Sequence, residues 1–223
     1  MGAGTGGRAD GAAPRMKLRD LLELARVSNL PTVWSNVVMG MAWGIASTRP
    51  LSIRDGFIPL RAFVELRSVL PGAFPMLIAG SMIYCGGMIL NDAFDAKIDL
   101  DERPERPIPS GRVSRSHAFW VGLAMLFGSL IFLMSYASPW VLASGCALIG
   151  LVLLYNAVHT LSAISVILMG LCRATLVFMA VMSIGGRGYW PTPLMVAAPC
   201  ALFGYTLLIS IVARHEVQAG RAW

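Results

Sequence analysis

The sequence predicts an all-α fold, a polytopic transmembrane helical bundle, from its composition and from the way its apolar residues are grouped. Of 223 residues, 56% are apolar and 13% are charged, and the mean hydropathy is +0.67. A soluble domain usually has about 25% charged residues. The composition therefore excludes a disordered chain, a coiled coil, a typical nucleic-acid-binding module and an ordinary soluble enzyme. Six long apolar segments are present, at 30–47, 72–91, 118–136, 139–156, 161–184 and 193–213.

Each apolar segment is close to the roughly 20 residues that an α-helix needs to cross about 30 Å of hydrocarbon. A spanning helix satisfies its own backbone hydrogen bonds, which lipid cannot do. We therefore expect six spans in this chain. The first contains Gly40 and Gly44, a small-xxx-small spacing that permits close helix contact but also occurs without a partner helix.

The residues before the first span divide into two parts. Residues 1–15 are rich in Gly and Ala and are predicted to be a disordered tail. Residues 16–27 have the pattern of an amphipathic helix with Lys17, Arg19 and Arg26 on its polar side. Such a helix is typical of the membrane surface. The rest of the chain, 28–223, is predicted to form one transmembrane domain.

Lys and Arg residues are unevenly distributed between the loops. With a cytoplasmic N-terminus, twelve of them lie on the cytoplasmic side and five on the other, and Arg173 lies inside a span. Cytoplasmic loops carry the excess of Lys and Arg in membrane proteins. The sequence therefore predicts a multi-pass integral membrane protein, in contact with membrane lipids, whose N-terminus is cytoplasmic.

The end of the second apolar segment carries a regular row of polar residues. Asn91, Asp95 and Asp99 are spaced i, i+4 and i+8, so on an α-helix their side chains drift by only about 40° per step. Mg²⁺ takes oxygen ligands and often shares one or two carboxylates with substrate phosphates. The row is therefore a candidate site for a diphosphate held through Mg²⁺.

A loop rich in arginine and proline follows the row. Arg103, Arg106 and Arg112 lie in it, and guanidinium groups match phosphate oxygens bidentately. The three prolines at 104, 107 and 109 end the helix and keep the loop extended. The alternative interpretation is a solvated loop whose acidic and basic charges balance one another.

The row and the loop together carry a family resemblance. Asn91-Asp92-x-x-Asp95-x3-Asp99, followed by Arg103-Pro-Glu-Arg106-Pro-Ile-Pro-Ser-Gly, resembles the first aspartate-rich motif of the UbiA-type intramembrane prenyltransferases. The resemblance extends to residues 26–31, to Asn36 and to Tyr155-Asn156. It covers most of residues 20–215 and is strongest at 91–114.

This resemblance implies a fold of about nine spans, of which six are seen here, around a central cavity with two facing aspartate-rich motifs. It implies Mg²⁺ as cofactor, a prenyl diphosphate as donor and a lipophilic acceptor, often aromatic or quinone-like. The expected metal ligands are Asn91, Asp95 and Asp99, and the expected catalytic residues are Asp95, Asp99 and Arg106. The activity is transfer of the isoprenoid chain within the membrane.

Further side chains are candidates for substrate binding, by resemblance or by position. The full set expected to bind substrate is Asn36, Asn91, Arg103, Arg112, Tyr155, His159, Arg173, Arg214 and Glu216. A charge inside a span usually faces a cavity or a partner, so a diphosphate or an Asp side chain is the expected partner of Arg173, with snorkelling as the alternative. The alternative role of Asn36 is a hydrogen bond between helices, and the alternative for His159 is exposure to cytoplasmic water.

The chain departs from the family pattern near its end. The family usually has a second Asp-x3-Asp motif after span six, whereas this chain has Glu216 with Gly220 four residues later. The segment Ala213-Arg-His-Glu216 resembles the UbiA-like branch found in bacterial secondary-metabolite operons, which implies a bacterial inner (plasma) membrane. The chain stops at Trp223, so the C-terminal third of the expected fold is predicted to be missing.

Other functions compete with prenyl transfer. A weak or degenerate binder of prenyl diphosphate, or a carrier, is compatible with the missing second motif. A CDP-alcohol phosphotransferase would require Asp-x2-Asp-Gly-x2-Ala-Arg, whereas Ala96 follows Asp95. No nucleic-acid partner is expected, and the sequence leaves the oligomeric state open.

Overall fold

The computed structural model of the chain describes residues 17–48, 58–158 and 162–220, with side chains over 17–48, 71–158 and 164–213. The described residues are helical, with no strand among them. A 3₁₀ turn, Val27–Asn29, separates the first two helices. The seven helices are α1 (Leu18–Leu24), α2 (Leu30–Thr48), α3 (Ile58–Glu102), α4 (Arg115–Leu133), α5 (Pro139–Val158), α6 (Ser162–Met182) and α7 (Pro193–Gly220).

Five helical segments in the described part are long and apolar enough to cross a membrane. They are Pro71–Glu102, Arg115–Leu133, Pro139–Val158, Ile164–Met182 and Pro193–Ala213. The predicted helical membrane bundle is confirmed, with five apolar spans where we expected six. The segment predicted as the first span is the helix α2, but Thr32, Ser35 and Asn36 lower its hydropathy. It packs mainly against α6 and α3.

Helix α3 is longer than the predicted second span, 72–91. It continues without a break to Glu102, so the whole polar row is helical. Pro104 explains why α3 ends at Glu102, because a proline disfavours helical backbone at the residue before it, here Arg103. The long helix therefore carries the row from the apolar bundle to the Arg–Pro loop.

Helix α1 is shorter than the predicted amphipathic helix over 16–27. It ends at Leu24 because Arg26 adopts a left-handed backbone conformation with φ 46°. Leu24 and Ala25 are buried in a cluster with Ile89 of α3 and Val113 of the loop. The left-handed turn redirects the chain, so Arg26 points at α3 rather than lying on the polar side of α1.

The small-xxx-small pair of α2 does make a close helix contact. A Cβ atom on Gly40 would lie 2.8 Å from both the Ala180 Cβ and the Val177 carbonyl oxygen, and one on Gly44 would lie 2.7 Å from the Val181 carbonyl oxygen. The absence of a side chain at these two positions allows α2 to approach the backbone of α6, which forms one wall of the central cavity described below.

We expect Gly40→Ala to lower the free energy of unfolding by about 1–3 kcal/mol, because overpacking forces the two helices apart. The matched control is Gly150→Ala in α5, where an added Cβ meets nothing within 4 Å. Chemical unfolding in detergent micelles measures both variants. Equal stability of Gly40→Ala and the wild type would contradict the close contact.

Candidate active site

The polar row lies on the last turns of α3, where its members are linked to neighbouring polar groups. The Asn91 Nδ2 donates a hydrogen bond to the Asp95 Oδ2 at 3.2 Å. The Arg106 Nη1 donates to the Asp99 Oδ2 at 2.7 Å, and Asp99 is only 3% exposed. The Arg106 cation thus neutralises one end of the row, and the amide of Asn91 contacts the middle of it.

Two residues that the sequence analysis did not select complete a chain of alternating charges. Asp92 is buried and accepts from the Arg26 Nη2 at 3.0 Å and from the Arg106 Nη1 at 3.4 Å. The order is Arg26, Asp92, Arg106, Asp99. Asp92 stands next to Asn91 in the motif, but its pairing with Arg26 depends on the left-handed turn, which no spacing in the sequence reveals.

Arg106 connects the loop to α3. Its own burial would lower the pKa of the guanidinium, but the hydrogen bond to Asp99 and the charges of Asp92, Asp99 and Asp95 outweigh burial and raise that pKa above its ordinary value. The group therefore remains a cation throughout the physiological pH range. Ile108 and Val113 bury the loop against α1 and α3, which holds Arg106 in place.

Arg112 is directed toward α1 rather than toward the row. Its Nη1 donates to the Asp20 Oδ1 at 2.6 Å and to the Glu23 Oε2 at 3.2 Å, and its Nη2 donates to the Glu105 carbonyl at 2.9 Å. The hydrogen bond that Arg112 donates to Glu23 is the main cause that raises the pKa of Arg112. Arg112 thus ties α1 to the loop, whereas Arg103 is exposed.

We expect Arg112→Ala to release α1 from the loop and to increase proteolytic cleavage near residues 17–26. The buried Asp20 then loses its cation, while the fold of the spans is retained. Limited thermolysin digestion in nanodiscs measures the effect, with Arg19→Ala as control because Arg19 is exposed on the same helix. Identical digestion of Arg112→Ala and Arg19→Ala would show that the contact does not hold α1.

A cavity of about 380 Å³ lies between α2, α3, α5 and α6. It brings together two residues selected from the sequence, Asn36 and Arg173. The remaining lining is Asn29, Thr32, Val33, Gly80, Ile83, Tyr84, Leu148, Val152, Cys172 and Leu176. Asn29, Thr32 and Tyr84 are not identifiable from the sequence, because each is a common polar residue with no distinctive spacing.

Tyr155, near the end of α5, interacts with both the row and the cavity wall. It interacts electrostatically with Asp95, with Arg26 and with Cys172, and Cys172 is part of the cavity wall. The adjacent Asn156 is buried and donates from Nδ2 to the Gly87 carbonyl at 3.2 Å. His159 and the side chains of Arg214 and Glu216 lie outside the described residues.

The donor set of the row suits a hard divalent cation. Asn91, Asp95 and Asp99 offer only oxygen ligands, which Mg²⁺ prefers. No three His, Cys, Asp or Glu side chains of the described residues form a ready-made metal site. Mg²⁺ commonly takes one or two carboxylates and completes its shell with water and substrate phosphates.

Comparisons with known proteins point to one family. The model of the UbiA prenyltransferase family matches residues 61–220. Digeranylgeranylglyceryl phosphate synthase of Sulfolobus acidocaldarius is 32% identical over 155 residues, 68% of this chain and 47% of that protein. The enzyme of the same name from Methanoregula boonei is 34% identical over 119 residues, 52% of this chain and 41% of that protein.

A solved structure from work on digeranylgeranylglyceryl phosphate synthase in membranes has the same fold. It superposes with a TM-score of 0.66 at 20% identity, over 91% of this chain and 64% of that one. The chain thus spans less than half the length of the two curated relatives. Because the family model covers residues 61–220 of a 223-residue chain, the chain belongs to the UbiA prenyltransferase family.

Proposed function

We propose that this protein transfers an isoprenoid chain from a prenyl diphosphate to a lipophilic acceptor within the membrane, in a Mg²⁺-dependent reaction. One observation carries the proposal. A row of oxygen ligands backed by Arg106 lies at the end of α3, a largely apolar cavity opens between the spans, and Tyr155 interacts electrostatically with Asp95 of the row and with Cys172 of the cavity wall.

The row and the loop would receive the diphosphate. Asn91, Asp95 and Asp99 would hold Mg²⁺, and the bound ion would neutralise charge on the leaving diphosphate. Arg106 is aligned with the row by Asp92 and Asp99, so a cation is in place before the substrate arrives. Preorganised charge of this kind stabilises a transition state without reorganisation of the site.

The cavity would hold the prenyl chain and the acceptor. In the reaction the allylic C–O bond of the donor breaks, its electron pair leaves with the diphosphate, and the acceptor forms the new bond and loses a proton. The apolar lining from Val33, Ile83 and Leu176 excludes water, which would otherwise capture the allylic cation. Tyr155 interacts electrostatically with a member of each part, Asp95 and Cys172.

The second candidate function is binding of a prenyl diphosphate without efficient transfer. The observation in its favour is that Glu216 and Gly220 stand where the family has Asp-x3-Asp. A second metal-binding carboxylate pair is therefore incomplete in this sequence.

With the predicted cytoplasmic N-terminus the row lies at the cytoplasmic side of the membrane, and a bacterial plasma membrane remains a prediction.

A reconstituted assay tests the proposal. The purified chain in liposomes receives geranylgeranyl diphosphate and Mg²⁺ with one of three acceptors: a geranylgeranylglyceryl phosphate, the matching geranylgeranylglycerol or an aromatic quinone precursor. We expect mass spectrometry to find an acceptor whose mass rises by one geranylgeranyl unit, and EDTA to abolish the product. Binding of the donor with no product from any acceptor would favour the second candidate.

A further inference from the structure

Arg26 occupies a strained turn between α1 and α2. Among the non-glycine residues that the structure describes, it has the one positive φ, with φ 46° and ψ 48°. A left-handed conformation is unfavourable in a residue with a Cβ atom and persists only where the surrounding contacts enforce it. Here the buried Leu24 and Ala25 fix the chain before the turn, and the Asn29 amide donates to the Arg26 carbonyl at 3.0 Å after it. The turn thereby directs the Arg26 side chain to α3.

Two arginines share one carboxylate oxygen on α3. The Arg26 Nη2 lies 3.0 Å from the Asp92 Oδ1, and the Arg106 Nη1 lies 3.4 Å from the same atom. The Arg106 Nη1 also lies 2.7 Å from the Asp99 Oδ2. Arg26 is therefore the closer cation to Asp92, and Arg106 is closer to Asp99 than to Asp92.

This division of partners depends on the charge of Arg26. Asp92 is buried, and its ion pairs among the described side chains are those with Arg26 and Arg106. A buried carboxylate without a cation is costly, and the attraction between opposite charges is strong where water is excluded. Without the Arg26 cation, Asp92 would draw Arg106 toward itself. Arg106 would then move away from Asp99 and from the row.

We propose that Arg26 is a positioning residue of the donor site: by neutralising Asp92, it leaves Arg106 directed at Asp99 and the row. Arg26 acts through these two side chains and does not need to touch the substrate. The inference rests on the proposed function, because that function assigns the row and Arg106 to the diphosphate of the donor.

Equilibrium binding of a non-hydrolysable donor analogue tests this role without requiring turnover. The probe is geranylgeranyl thiodiphosphate with Mg²⁺, titrated into the chain in nanodiscs. The variants are Arg26→Gln, Arg26→Lys, Asp92→Asn and the double variant Arg26→Gln, Asp92→Asn. The control is Arg19→Gln, because Arg19 is an exposed cation on the neighbouring helix α1.

We expect Arg26→Gln to weaken binding of the probe by about tenfold or more, the usual effect of removing a residue that orients a binding group. Arg26→Lys should stay within about threefold of the wild type, because a lysine keeps a positive charge beside Asp92. The double variant should also return to within about threefold of the wild type. Without a carboxylate at position 92, nothing draws Arg106 away from Asp99.

The double variant separates this role from direct contact between Arg26 and the diphosphate. If Arg26 bound the diphosphate itself, removing Asp92 would restore nothing, and the double variant would bind as weakly as Arg26→Gln. That outcome would overturn the proposal. Wild-type affinity of Arg26→Gln, measured below its thermal unfolding temperature, would overturn it too, because a residue that serves only the fold affects stability and not the affinity of the folded protein.

A stability cycle tests the position of Arg106 without the donor. We expect Asp99→Asn to lower the free energy of unfolding less in Arg26→Gln than in the wild type, because Arg106 has already left Asp99 in that variant. Equal losses in the two backgrounds would mean that Arg26 and Asp99 are not coupled through Arg106, which would overturn the proposal. Failure of the probe to bind the wild type would refute the proposed donor site, and the cycle would still decide whether Arg26 positions Arg106.

Discussion

Asp95→Asn is expected to lower the rate of prenyl transfer at least about a hundredfold, and Asp99→Asn is expected to do the same. Each change keeps the shape of the side chain and removes a negative charge from the proposed metal ligands. Loss of one preorganised electrostatic contact to a transition state costs on the order of 10²–10³ in rate. The measurement is product formation from geranylgeranyl diphosphate in liposomes, over a series of Mg²⁺ concentrations.

The control for both variants is Asp101→Asn. Asp101 lies in the same turn region of α3 but is exposed, so its loss changes the local net charge equally without touching the row. We expect this variant to retain wild-type turnover. Turnover within about threefold of the wild type in both Asp95→Asn and Asp99→Asn would remove the metal-binding role from these residues.

Arg106→Ala is expected to lower both the stability of the protein and its activity. Asp92 and Asp99 are 5% and 3% exposed, and Arg106 lies 3.4 Å from the first and 2.7 Å from the second. Removing the cation leaves buried carboxylates with less compensation, and breaking a buried pair from one side costs about 3–5 kcal/mol. Because Arg26 still pairs with Asp92 and the Arg106 side chain is 21% exposed, we expect the lower end of that range.

Chemical unfolding in micelles and the liposome assay measure the two effects of Arg106→Ala. Lys97→Ala is the matched control, because Lys97 is an exposed cation on α3, and it should unfold like the wild type. The pKa of Arg106 is raised, so its contribution to stability is present at every pH below the ordinary arginine value and is constant through the physiological range. Wild-type stability of Arg106→Ala would mean that the ion pairs of Arg106 with Asp92 and Asp99 contribute nothing to the stability of the fold.

The features that local sequence specifies were predictable. The i, i+4 and i+8 spacing placed Asn91, Asp95 and Asp99 on one helix, and the structure confirms that this segment is helical to Glu102. Hydrophobic length predicted six spans, and five of them are confirmed among the described helices. The cost of a charge within a span pointed to Arg173, and the structure places that residue on a cavity wall beside Asn36.

The features that depend on tertiary contacts were not predictable. Arg26 pairs with Asp92, 66 residues away, through a left-handed turn, and a turn of that kind has no signal in a non-glycine sequence. Arg112 meets Asp20 across 92 residues, so its spacing within the loop does not indicate its partner. From their position in the loop, all three arginines are expected to lie near phosphate, whereas the packing of α1 directs Arg112 toward that helix.

Mg²⁺-dependent binding of a prenyl diphosphate at the row is the claim on which the proposed function depends. The direct measurement is titration of geranylgeranyl thiodiphosphate into nanodiscs, with Mg²⁺ or with EDTA, for the wild type and for the double variant Asp95→Asn, Asp99→Asn. We predict that the wild type binds at least about tenfold more tightly with Mg²⁺ and that the double variant loses this difference. Equal affinity under all four conditions would contradict the account.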